Sequence, residues 1–348
     1  MTMKYVYQGR EIYPQVEMYH DVIPYLGGIS DKEFYTDPKA CIEAWKKANA
    51  AISEFFGGYF QTKAPTAPPF SYGHLVCLGA PYRMPEHGEP NVSPFAEDID
   101  EAIDILKAKR GQDFSDNDLF RHYVMMNTEI EKAFPGTKIP LATGLGYEGI
   151  ITSAVLMRGQ DFLCDLYDEP EKVHEFLGLL NESIIEYKKF VNAFHGRPII
   201  DTYGSWLADD FASLIPPTMW QEFVTPYWRQ YFENVTVPNG KRTVHCENTI
   251  PAQLRYLEEV GLGHYQPSVA EALTIENIRE NTNVPFDWLL YAFRIVNMTD
   301  EEIEAWVDTT VQAGIRKVRT QFGKYAWSIG KMDRLMAFYK AFEKYRVE

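Results

Sequence analysis

The chain has 348 residues, 45% of them hydrophobic, and carries 34 basic against 49 acidic side chains for a formal charge of −15. That length supports one large domain or two small ones with a substantial core, and an acidic chain without any run of Lys or Arg argues against nucleic acid and against polyanionic substrates. No window approaches the roughly 18 apolar residues of a membrane span, and "MTMKYVYQGREIYPQ" lacks the order of a secretory leader, so a cytoplasmic protein without a membrane partner is expected.

Residues 1–70 are rich in aromatics and close on "KAPTAPPF", where Pro65, Pro68 and Pro69 forbid helix. They are predicted to form a mainly helical N-terminal extension ahead of a catalytic domain over 71–348. Short apolar runs then alternate with helical patterns. The candidate strands are "HLVCLG" (74–79), "KIPLATGLG" (138–146), "RPIIDTYGSW" (197–206), "RTVHC" (242–246), "GHYQPSV" (263–269), "FDWLLYAF" (286–293) and "RKVRTQFG" (316–323).

Between them, Asp168 and Pro170 open a helix with Val173, Phe176, Leu177, Leu180, Ile184, Tyr187 and Val191 on one stripe, and Gly196 beyond its end. Thr299 and Glu302 form a capping-box pattern ahead of Ile303 and Val307, with Gly314 as the stop. Repeated strand-then-helix units predict an α/β fold, a (β/α)8 TIM-type barrel, with a doubly wound open sheet as the alternative. No GxxxxGK[ST] occurs, so a P-loop nucleotide site is not expected. Cys41, Cys77, Cys164 and Cys246 stand far apart and suit free thiols in a reducing compartment.

"KRTVHCENTIP" (241–251) gathers His245, Cys246, Glu247 and Asn248 at a predicted strand end. On extended backbone, His245 and Glu247 point to the same side, which favours a shared ion, while Cys246 turns to the core. A buried, hydrogen-bonded imidazole is the plainer reading of His245.

The segments "GLGYEGIITSAVLMRGQDFLCDLYDEPEKVHEFL", "DDFASLIPPTMWQEFVTPYW", "TVHCENT" and "NMTDEEIEAWVDTTVQAG" together resemble the uroporphyrinogen decarboxylase superfamily, which includes zinc-dependent corrinoid methyltransferases. The resemblance implies a (β/α)8 barrel with its site at the carboxyl ends of the strands. The arginine-rich motif that holds porphyrinogen carboxylates is missing, since Arg10 is the one arginine of residues 1–70. Where the methyltransferase branch carries His-x-Cys, this chain has His245-x-Glu247, a harder donor set that still suits zinc as a Lewis acid. The spacing of Glu86, Glu101 and His122 is similar to the Glu-x14-Glu-x20-His zinc motif of methyl-ether-cleaving methyltransferases from anaerobic O-demethylase systems. Surface acids at a helix start and an ordinary helix histidine are the alternatives for Glu101 and His122.

Asp209 and Asp210 match an acidic position of the superfamily's active-site mouth, as proton donor or ligand, with helix capping as the alternative. Tyr147, Trp206 and Tyr291 stand near strand ends, as core residues or as walls for a flat arene. The resemblance therefore implies a zinc-dependent enzyme that moves a methyl group from an aryl methyl ether, or a similar donor, to the cobalt of a corrinoid. No Asp-x-His-x-x-Gly corrinoid motif occurs, so a partner carrier protein supplies the cobalamin. A metal-free decarboxylase acting through Asp209 or Asp210 and a non-catalytic aromatic-binding barrel stay open, and so does the oligomeric state, a homodimer included.

Overall fold

The computed structural model describes residues 3–60, 62–137 and 145–347. Ten strands lie among them: β1 (Lys4–Tyr7), β2 (Arg10–Met18), β3 (Tyr82–Arg83), β4 (Asn91–Val92), β5 (Gly204–Ala208), β6 (Lys241–His245), β7 (His264–Gln266), β8 (Trp288–Leu290), β9 (Lys317–Phe322) and β10 (Arg346–Val347). The chain divides into two compact units, one made of Met1–Pro65, Glu86–Gly88 and Phe286–Glu348, the other of Thr66–Pro85 and Glu89–Pro285.

The first unit is built on a mixed sheet of order β10-β1-β2-β9-β8. Gln8 and Gly9 both take positive φ, 47° and 74°, the backbone of a tight hairpin turn, and so join β1 to β2. β2 then runs parallel to β9 from Tyr13↔Lys317 to Met18↔Phe322. The capping box at Thr299 forms in full: Thr299 Oγ1 accepts from Glu302 N at 3.2 Å, and Thr299 N donates to Glu302 Oε2 at 2.8 Å.

The second unit carries the parallel sheet β5-β6-β7 and the small antiparallel ribbon β3-β4. The helix Pro170–Phe194 is its spine. Pro170 occupies the first turn, and Val173, Phe176, Leu177, Leu180, Ile184 and Tyr187 are fully buried, each contributing about 1.5–3 kcal/mol of transfer free energy. This stripe packs on the helices Ile99–Ala108, Ile150–Arg158 and Thr225–Val235.

The expected closed (β/α)8 barrel is overturned. Among the described residues the strands fall into three separate sheets, of five, two and three strands. One reason is local. "HLVCLG" forms the helix Gly73–Leu78, burying His74, Leu75, Cys77 and Leu78 at helical spacing and stopping at Gly79 with φ 111°. A short apolar run does not distinguish strand from buried helix. The candidate strand at 138–146 lies mostly outside the described residues. The N-terminal extension is mainly helical as expected, in Val22–Gly27, Asp31–Thr36 and Pro38–Phe56, and its β1 and β2 also supply two of the five strands of the mixed sheet. Among the described residues no helix is long and apolar enough to cross a membrane.

One glycine is fixed by close packing. A Cβ on Gly149 would lie 2.3 Å from both Cβ and Cγ of Asp209 and 2.7 Å from the carbonyl oxygen of Ala208. Gly149→Ala is expected to cost about 3 kcal/mol of stability in urea unfolding, as overpacked cores do. A loss under about 0.5 kcal/mol would show that the helix start and the β5 end are not pressed together as described.

Candidate active site

Pairing of Ala208 with His245 and of His245 with Gln266 levels the carboxyl ends of β5, β6 and β7. Asp209 and Asp210 follow β5, His245 ends β6 and leads to Glu247, and Gln266 ends β7. Ligands of open α/β sheets bind outside this edge. Trp206, on β5, is 50% exposed and sets its ring centroid 5.7 Å from the His245 imidazole.

The two neighbouring aspartates do different work. Asp209 is fully buried and accepts hydrogen bonds from Trp228 Nε1 at 2.7 Å, Thr152 N at 2.7 Å and Ile151 N at 3.3 Å. It thereby satisfies orphan donors at the start of the helix Ile150–Arg158, a capping role filled from another part of the chain. Burial pushes its carboxyl up to about 6, against the pull of those same hydrogen bonds. Asp210 faces the mouth instead: its Oδ1 accepts from Glu247 N at 2.9 Å and lies 3.5 Å from His245 Nε2.

His245 is oriented from behind. Its Nδ1 donates to Gln266 Oε1 at 2.7 Å, which fixes the ring orientation and turns Nε2 toward the mouth. Nε2 looks toward Asp210 and toward Glu247, whose Oε1 is 3.7 Å away. Cys246 is fully buried between them, and burial together with the Asp209 and Asp210 charges holds its thiol well above the usual range. It is therefore a packing residue, not a thiolate ligand. Asn248 takes φ 55°, which asparagine tolerates, and turns the chain away after Glu247.

Glu148 is the residue that the sequence reading missed. It sits partly buried between Tyr147 and Gly149, beside Ser71, and burial followed by the charges of Asp210 and Asp209 pushes its carboxyl up to about 8. Tyr72 is raised too, by burial and then by Glu148, Glu89 and Asp210. The one signal in the sequence was an acid enclosed by "GLGYEG" ahead of an apolar helix.

A testable pH dependence follows. With a folded-state value raised from 4.5 to about 8, the folded protein keeps a proton that the unfolded chain releases. Stability from this group is thus full below about pH 4.5, falls as the pH rises, and is lost by about pH 8. Glu148→Gln is expected to unfold at a higher temperature than the parent near pH 8 and at a similar one near pH 5, read by calorimetry on chelator-treated protein. Parallel curves for the two proteins would contradict the shift.

The other candidates are placed as follows. The Tyr147 hydroxyl lies 2.7 Å from that of Tyr231, which donates to the Trp206 carbonyl at 3.2 Å, so this tyrosine supports β5 from within. Tyr291 belongs to the other compact unit, where it is 9% exposed against Phe293. Glu101 stands in the first turn of its helix: its N donates to Asp98 Oδ1 at 2.8 Å and its Oε2 accepts from Glu97 N at 2.7 Å. His122 lies on the helix Asp118–Ala133 with its ring edge-on to Tyr123, and Glu86 is exposed in the first unit. Among the described residues no group of three or more His, Cys, Asp or Glu side chains is placed to hold a metal ion, neither Glu86, Glu101 and His122 nor, as it stands, His245, Asp210 and Glu247.

The donor chemistry at His245 does fit zinc. Two ligands each about 2.0–2.2 Å from a tetrahedral zinc ion stand roughly 3.3–3.6 Å apart. The His245 Nε2 separation of 3.5 Å from Asp210 lies within that spacing, and the 3.7 Å from Glu247 lies just beyond it.

The sequence profile of the uroporphyrinogen decarboxylase (URO-D) family matches residues 72–283, which holds every one of these groups around His245. The chain belongs to the uroporphyrinogen decarboxylase family. Among solved structures, a methyltransferase from Methanosarcina mazei is similar over 96% of this chain and 94% of its own, with a TM-score of 0.66 and 16% identity, a likeness of fold. No curated protein sequence matches. Unlike a site built for a polycarboxylate, this member of the uroporphyrinogen decarboxylase family surrounds its histidine with acids.

Proposed function

We propose that this chain is a methyltransferase that takes a methyl group from an aryl methyl ether, or a similar donor, and delivers it to the cobalt of a separate corrinoid protein. The observation that supports it is the placement of His245 Nε2, with the ring oriented by Gln266 and Nε2 faced by Asp210 and Glu247, beside the half-exposed Trp206. The fold shared with a methyltransferase agrees with this reading, and so does the acidic mouth, which is a poor host for porphyrinogen carboxylates.

His245, Asp210 and Glu247 would hold a zinc ion. When bound, zinc supplies Lewis-acid stabilisation of the departing phenolate, worth several kcal/mol. The chain's own residues do the rest. Gln266 fixes the imidazole tautomer, a role in which such partners alter metal affinity by roughly 10–100-fold. Trp206 offers a flat face for the arene, and Glu148, carrying its proton at neutral pH, is a donor for the phenolate oxygen. The corrinoid arrives on its carrier through a transient complex, because the carrier must leave to pass its methyl group on.

Product analysis tests this function. Incubated anaerobically with a reduced corrinoid carrier and guaiacol, the protein is expected to release catechol in proportion to the methyl group transferred. Loss of carbon dioxide from a carboxylated substrate, with methoxyarenes left intact, would instead assign it as a decarboxylase.

A further inference from the structure

Resting on that reading, we infer that the mouth around His245 selects methoxyarenes without a negative charge and rejects those bearing a carboxylate. Asp210 and Glu247 both face His245 Nε2, and the hydrogen bond from Glu247 N to Asp210 Oδ1 keeps them together at the carboxyl edge. Asp209 lies fully buried directly behind them in the chain.

These carboxylates stand uncompensated. Among the described residues none of the three is paired with Lys or Arg, whereas Asp287, as buried as Asp209, is held by Arg319 and Lys317. Three neighbouring groups sense the same field: the charges that bear on Glu148, Tyr72 and Cys246 all come from acids, Glu89 among them. A divalent ion held at His245 offsets two negative charges and leaves the third. A further unit charge some 8 Å away in such a partly screened mouth changes an equilibrium roughly tenfold or more.

The ring contact with Trp206 does not depend on charge, so a neutral arene keeps its stacking and loses nothing. Specificity thus comes from repulsion of the wrong substrate as well as attraction of the right one.

The test compares two ligands of equal size, para-hydroxy-meta-methoxybenzoate and the corresponding benzamide, by calorimetric titration of the purified protein at neutral pH. Where the heats are small, kcat/KM for demethylation of the same pair is compared instead. The benzamide is expected to be favoured about tenfold or more, with the gap narrowing as salt screens the carboxylates. Equal or tighter binding of the benzoate overturns the inference while leaving the proposed function standing. If neither ligand binds and guaiacol leaves the reduced carrier unmethylated, the function itself fails and the inference falls with it.

Discussion

Asp209→Ala is expected to lower the free energy of unfolding by about 3–5 kcal/mol, the range for removing one partner of a buried charged network. The side chain is fully buried and receives three donors, Trp228 Nε1, Thr152 N and Ile151 N. Truncation leaves all three without an acceptor in a place that water does not reach. Asp209→Asn keeps the shape but turns an amide toward N–H groups, so it is expected to recover part of the loss. Asp210→Ala is the contrast: its side chain is 36% exposed, and its loss is expected to cost about 1 kcal/mol or less. Urea unfolding of the three variants ranks them, and a cost for Asp209→Ala below that for Asp210→Ala would reverse the roles assigned to the pair.

His245→Ala is expected to remove zinc from the purified protein and to lower methyl transfer about a thousandfold, the equivalent of several kcal/mol of transition-state stabilisation. Little of the fold rests on this side chain, which is 16% exposed at the sheet edge, so the unfolding temperature should shift by only a few degrees. Gln266→Leu leaves Nε2 in place but frees the ring to rotate, and it is expected to weaken zinc binding roughly 10–100-fold. Metal analysis by mass spectrometry checks both. Retention of zinc by His245→Ala would show that the metal is held elsewhere than at His245.

How much of this was legible depended on whether the determining interactions were local. The helix Pro170–Phe194 and the Thr299 capping box could be read because the proline, the apolar stripe and the reciprocal cap all act within a few residues. The sheet could not. β2 finds its parallel partner in β9, some 300 residues further on, and nothing near Arg10–Met18 announces that pairing. The helix Gly73–Leu78 was misread because six residues carry too little periodicity to decide between strand and helix.

The site divided the same way. Alternation along an extended backbone correctly placed His245 and Glu247 together and Cys246 in the core. The separate roles of Asp209 and Asp210 were invisible, because they depend on what each meets: helix N–H groups in one case, the Glu247 amide in the other. Glu148 escaped notice because its chemistry comes from burial beside two other acids, a property of the fold.

The central claim is tested most directly at the cobalt. Under strict anaerobiosis, the reduced Co(I) carrier is mixed with guaiacol and the protein, and the visible spectrum is followed with time. The account predicts conversion to methyl-Co(III) that depends on the protein, and a colourless enzyme before the carrier is added. A Co(I) spectrum unchanged by methoxyarenes but converted by methylamines, methanol or methyl-folate would refute the aryl ether donor. A spectrum unchanged by every methyl donor would contradict methyl transfer altogether.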